Sequence, residues 1–235
     1  MKRLLAAALV LIAASASFAA DTITLWTFEG DTTAPAVALV GSPSITLAPG
    51  ITATFAGGYA GAPTGTSGRG YNTVPFAGLT LPITASNPEP YTRWIEFYAP
   101  TTGYLDIKVS FAHRFSKSSP NFAVFQYNAG SGWVDFAAYQ ATNADTWYPQ
   151  EFDLSGISAV NNNPNFAFRV AAAVAPGEGN YLPALSTKTI DNSGHWRFDD
   201  VTVTGTLIPE KETTCPHVPR APSATPGPGG SMMSP

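Results

Sequence analysis

A chain of 235 residues with 12 Lys and Arg against 16 Asp and Glu carries a formal charge of −4, and only 12% of it is charged, about half the usual share. Its cations are scattered singly, which excludes an electrostatic binder of nucleic acid or of an anionic membrane, since both need clustered Lys and Arg. Cys215 is the one cysteine, so no intramolecular disulfide can form and stability must come from a core, with or without a metal.

At the start, Lys2 and Arg3 precede the apolar run "LLAAALVLIAA" (4–14), and Ser17 and Ala19 supply the small residues of a cleavage site. This pattern predicts a signal peptide over 1–19 and a secreted product. No later segment is apolar enough to cross a bilayer, so no stable membrane insertion is expected. About 185 residues then remain for one domain over 20–208, enough for a sizeable core.

Within that domain the apolar residues recur with period two. In "GYLDIKVSFAHRF", Leu105, Ile107, Val109 and Phe111 fall on one face, with Asp106, Lys108 and Ser110 on the other. That is a half-buried antiparallel strand. "NFAVFQYNAGSGWVDFAAY" reads as a hairpin turning through Asn128-Ala129-Gly130-Ser131-Gly132. Further strands are predicted at 22–28, 51–56, 91–98, 147–153, 165–174 and 195–206, with at most one helical turn in 154–162. Turn signals between them, from 21 Gly and 21 Pro, complete an all-β, two-sheet antiparallel sandwich. Residues 57–73, "GGYAGAPTGTSGRGYNT", read as a long Gly-rich loop of functional interest, with Arg69 and Tyr71 placed to cradle a ligand. From 209 to 235 the chain has seven prolines and no aromatic residue, the composition of a disordered tail. Cys215 and His217 fall within it and are too few for a zinc site.

Catalytic patterns are lacking: His113, His195 and His217 stand outside any G-x-S-x-G or H-E-x-x-H arrangement. Glu151 and Asp153 form an i,i+2 acidic pair, read as the polar face of a strand, and Glu96 stands alone in "WIEFY". A non-enzymatic protein is expected. Trp94, Trp133, Trp147 and Tyr148 have the half-wet rings that could stack on sugars. In "GHWRFDDVTVTG" (194–205), Asp199 and Asp200 should point to opposite faces of a strand and so cannot act on one substrate atom. If Trp196 and Phe198 face the core, Asp200 shares that face and needs neutralising.

In order, "LWTFEGD", the Gly-rich loop, "RWIEFYAPTTGYLDIKVSFAHR", "FAVFQYNAGSGWVDF", "FDLSGISAVNNNPNFAFRVA" and "WRFDDVTVTGTLIPE" carry a resemblance. The chain resembles the jelly-roll β-sandwich domains of bacterial secreted proteins, including those with a PEP-CTERM sorting signal, and is similar in plan to carbohydrate-binding jelly rolls. The likeness spans most of 24–208. It departs after Glu210, where "KETTCPHVPRAPSATPGPGGSMMSP" has no hydrophobic helix, so the sorting signal is missing or lost. The resemblance implies a structural Ca²⁺ where the first and last strands meet, held by Glu29 with Asp199 and Asp200, with Asp31 and backbone carbonyls completing the oxygens. It also implies a secreted or cell-surface module binding an extracellular glycan or surface polymer, for which Arg69 and Tyr71 of the loop and the rings of Trp94, Trp147 and Tyr148, read above from their chemistry, are the candidate ligand residues. The alternative is a structural or adhesive cell-surface or matrix protein with no small-molecule ligand.

Overall fold

A computed structural model describes residues 19–61, 68–76 and 91–209. The leader up to residue 18, part of the Gly-rich loop and the Pro-rich segment from 210, with Cys215 and His217, lie outside the described residues.

Among the described residues twelve strands are formed: β1 (Asp21–Trp26), β2 (Val37–Ala38), β3 (Ser44–Leu47), β4 (Thr52–Gly57), β5 (Arg69–Val74), β6 (Trp94–Tyr98), β7 (Tyr104–Phe115), β8 (Phe122–Asn128), β9 (Trp133–Gln140), β10 (Trp147–Asp153), β11 (Ala167–Ala172) and β12 (Trp196–Leu207). One sheet runs β10-β7-β12-β1-β2, with the β4–β5 hairpin added where β5 pairs with the start of β12. The other runs β3-β6-β11-β8-β9. Every pairing is antiparallel, and the chain crosses repeatedly between the sheets, which makes a jelly-roll β-sandwich.

The period-two reading places most strands within a few residues of their observed bounds. The helical turn is a single 3₁₀ turn, Ser158–Val160. Three strands escaped that reading. β2 and β3 are two and four residues long, too short to show alternation, and β5 lies inside the segment read as loop. In β5, Tyr71 and Thr73 are buried while Asn72 and Val74 are half-exposed, so the alternation was there but its glycines masked it.

Between the sheets the core is aromatic. Phe97 stacks at 5.0 Å on Phe168, its neighbour within the five-stranded sheet, and Phe125 stacks at 3.9 Å on Phe152, which brings strands of opposite sheets into ring contact. His113 belongs to this core. It follows Phe111 and precedes Phe115 on the inward side of β7, is fully buried, and stacks on Phe198 at 4.3 Å. Its Nδ1 is 2.8 Å from the Tyr139 hydroxyl, and burial holds its pKa well below the usual imidazole value.

Candidate functional site

Strand β12 does not keep one alternation along its length. Trp196 and Phe198 point inward, and so do Val201 and Val203, so one extra residue separates the two halves. The pairing with β7 shifts between Asp199 and Thr202, and Asp200 takes a left-handed φ of 48°. This is a β-bulge, and Asp is among the few residues that tolerate that backbone region. Asp200 therefore does not share the face of Trp196 and Phe198, as strict alternation predicted. It lines a cavity on the outer side of the sheet together with Thr202. Asp199 is fully buried: one carboxylate oxygen accepts the Tyr59 amide at 2.6 Å and the other accepts the Asp200 amide at 2.8 Å.

Glu29 reaches the same hairpin mouth from the other side. The chain leaving β1 turns through left-handed Phe28, Gly30 and Asp31. Glu29 Oε1 accepts the amides of Gly68 and Arg69, each at 3.0 Å. Gly58 and Gly68 face one another, with the Gly58 amide 3.4 Å from the Gly68 carbonyl. A Cβ on Gly58 would lie 2.5 Å from Asp199 Oδ2, and one on Gly68 would lie 2.5 Å from Glu29 Oε2. Two glycines thus make room for two carboxylates. Burial is the largest influence on Asp199, and the charges of Asp200 and Glu29 add to it, so its pKa is pushed up to about 7.

Asp31 is engaged elsewhere. Its carboxylate accepts both Nε and Nη2 of Arg69, and Arg69 also donates to the Phe55 carbonyl at 3.1 Å. Of the four expected calcium ligands, Asp199 feels the charges of Asp200 and Glu29, while Asp31 is held by a guanidinium. Among the described residues no three His, Cys, Asp or Glu side chains stand as a ready-made metal cage. A hard cation would thus need backbone or water oxygens beside the acids.

The expected ligand-binding aromatics divide. Tyr71 is buried, stacked at 5.2 Å on Phe28 and 5.5 Å from Phe55, so it presents no ring to a ligand; it sits on the inward parity of β5. The Tyr148 hydroxyl accepts the amides of Thr142 and Asn143 and donates to the Asn143 carbonyl at 2.9 Å, clasping the turn before β10. Trp147 is half-buried and paired with Tyr59 at 5.8 Å. Arg69 is tied to Asp31. These four do not converge on one surface with Trp94.

Trp94 belongs to a different face. On the outer side of the β3-β6-β11-β8-β9 sheet, the registers align Thr46, Glu96, Arg169, Gln126 and Asp135 in one row across all five strands. The Arg169 guanidinium lies 4.3 Å from the ring centre of Trp133 and 5.6 Å from that of Trp94. Arg169 donates to Gln126, Gln126 donates to Asp135, and the Tyr91 hydroxyl donates to the other Asp135 oxygen at 3.0 Å. Burial raises the Glu96 pKa more than Arg169 lowers it, and burial lowers that of Arg169. The result is a half-buried strip in which two indoles flank a fixed guanidinium amid amide and carboxylate groups. Sequence reasoning named Trp94 and Trp133 but missed Glu96, Arg169, Gln126, Asp135 and Tyr91. Same-face spacing in "WIEFY" marked Glu96, while the pairing that gathers the rest spans the whole domain.

The acidic pair Glu151 and Asp153 lies on the exposed face of β10, with Phe152 buried between them. Asp153 is bound to Lys108 at 3.1 Å and accepts the Ser155 amide at 2.9 Å, and these contacts, those of Ser155 foremost, pull its pKa down to about 2.

No family model and no curated protein matches the chain. Among solved structures, it is similar to the C-terminal family 22 carbohydrate-binding module of Clostridium thermocellum Xyn10B, at 9% identity over 80% of this chain and 97% of that one, TM-score 0.43. It is also similar to the family 11 carbohydrate-binding module of Clostridium thermocellum, solved with a β-1,3-1,4-mixed-linked tetrasaccharide, at 14% identity over 82% and 99%, TM-score 0.39. A third is the K3 cleaved adhesin domain of Lys-gingipain from Porphyromonas gingivalis W83, at 11% identity over 78% and 98%, TM-score 0.42.

Proposed function

We propose that this chain is a secreted, non-catalytic module that binds an extracellular glycan across the outer face of its five-stranded sheet. The observation that carries the reading is the Trp94–Arg169–Trp133 strip. Indole faces suit the C–H face of a sugar ring, and the fixed row of Glu96, Gln126 and Asp135 offers donors and acceptors for its hydroxyls. Two acids offset the one guanidinium, which favours a neutral glycan over an acidic one. Glycan-array binding by the protein with Trp94→Ala and Trp133→Ala variants tests this. Binding should fall at least tenfold in each variant while the melting temperature moves little. A protein that binds no glycan, or whose binding ignores both indoles, acts instead as a structural or adhesive surface protein.

Calcium belongs to this reading as a structural ion. Glu29, Asp199 and Asp200 would hold it, and it would offset the charges that Asp200 and Glu29 exert on Asp199; the Gly58–Gly68 pair supports the fit, because any Cβ there would fill the space beside Asp199 and Glu29.

A further inference from the structure

We propose a second binding pocket, on the opposite side of the sandwich from Trp94 and Trp133, that takes a single amino-sugar unit: a hydroxylated ring bearing an ammonium group. A cavity of about 440 Å³ lies on the outer side of β1, β7, β10 and β12, with Tyr59 and Gly61, which follow β4, forming one wall. That volume lies within the range of small-molecule sites and leaves room for one pyranose ring with some water.

The lining gives the ligand's chemistry. The registers place Glu151, Ser110 and Thr202 in one cross-strand row, and Thr22 and Asp200 complete the polar wall. Hydroxyls answer hydroxyls. Glu151 and Asp200 are both acidic, and no Lys, Arg or His is among the lining residues, so a ligand with a positive group is drawn in and a bare anion is repelled. Tyr59, leaning on Trp147, offers a ring for the apolar face of the sugar.

Asp200 stands in this wall only because of the bulge. Without the extra residue it would share the inward parity of Phe198, so the left-handed backbone at φ 48° re-aims a carboxylate from the core into the cavity. Bulges commonly re-aim side chains beside sites in this way. None of these residues belongs to the Trp94–Arg169–Trp133 strip, so the pocket stands or falls separately from the glycan face; Asp200 alone is shared with the calcium reading, and EDTA in the test keeps that ion off it.

The test titrates D-glucosamine, D-glucose and N-acetyl-D-glucosamine into the full chain in mildly acidic buffer with EDTA, following the Trp147 indole N–H resonance, assigned with Trp147→Phe. D-glucosamine should shift it saturably, and the two uncharged sugars should bind at least tenfold more weakly. Glu151→Gln, at an exposed strand position, should weaken glucosamine at least tenfold at unchanged melting temperature. Asp153→Asn and Trp94→Ala should leave it as it was. Equal binding of glucose and glucosamine, indifference to Glu151→Gln, loss on Trp94→Ala, or no saturable shift would each overturn the proposal.

Discussion

Arg169 lies with its guanidinium 4.3 Å from the centre of the Trp133 ring, so an arginine on β11 and a tryptophan on β9 act as one platform across the intervening strand β8. A planar, delocalised cation keeps such a stack, whereas an ammonium on a flexible stem does not. Arg169→Lys should therefore retain the charge but lose the ordered strip. The expected outcome is a fall of at least tenfold in glycan affinity, with a stability change of no more than about 2 kcal/mol, the upper range of a partly desolvated cation–π contact. Isothermal titration with a glycan found on the array, beside urea unfolding, checks both; unchanged affinity would remove the guanidinium from the site.

The glycines at the hairpin mouth make a sharper steric prediction. A methyl group on Gly58 or Gly68 would come within 2.5 Å of a carboxylate oxygen, and on Gly58 also within 2.8 Å of the Arg69 carbonyl. Overpacking of this kind costs about 1–3 kcal/mol. Gly57→Ala, one residue earlier with nothing within 4 Å, should cost well under that. Chemical denaturation of the three variants separates them, and equal costs at Gly57 and Gly58 would mean the carboxylate is not where it is described.

How much of this was legible in the sequence follows from the range of the forces involved. Alternation in "YLDIKVSFAHRF" is local, so β7 was readable to within a residue. The bulge at Asp199-Asp200 was not, because two adjacent aspartates fit either a strand or its interruption, and only the pairing with β7 decides between them. Glu29 and Asp199 both bind amides at the β4–β5 mouth, whereas Asp31 is drawn off by Arg69, a partner 38 residues away. Tyr71 misled for the opposite reason: its strand was taken for loop, so its inward parity went unseen. The Trp94–Arg169–Trp133 strip needs β6, β11, β8 and β9 in their spatial order, which no local pattern encodes.

Asp199 gives a pH dependence with a definite sign. Its pKa rises from 3.8 to about 7 on folding without a cation, so between those values the folded state holds more protons than the unfolded one. Its contribution to stability is present in full below about 4 and is lost as pH rises through 7. In EDTA, Asp199→Asn should thus gain on the wild type as pH goes from 5 to 8. Added Ca²⁺ should raise the wild-type melting temperature, more at pH 8 than at pH 5, and should do nothing for Asp199→Asn. A wild type indifferent to Ca²⁺ at pH 8 would leave Asp199 held by the Tyr59 and Asp200 amides alone and would end the calcium reading.

His113 acts with the opposite sign and can be isolated from Asp199. Burial depresses its pKa in the folded state, so below about 6.5 the unfolded chain takes up a proton that the folded core refuses. Its contribution to stability is then lost as pH falls below that point, by at most about 1.4 kcal/mol per pH unit. Replacing His113 alone would strand the Tyr139 hydroxyl, which lies 2.8 Å from Nδ1. The double variant His113→Phe/Tyr139→Phe removes both partners of that hydrogen bond, and such paired removals cost little. Made in an Asp199→Asn background, it should match its parent near pH 7.5 and hold its melting temperature as the pH drops to 5, where the parent's falls. If both fall alike, the acid sensitivity arises elsewhere, and the imidazole does not stay neutral between Phe115 and Phe198.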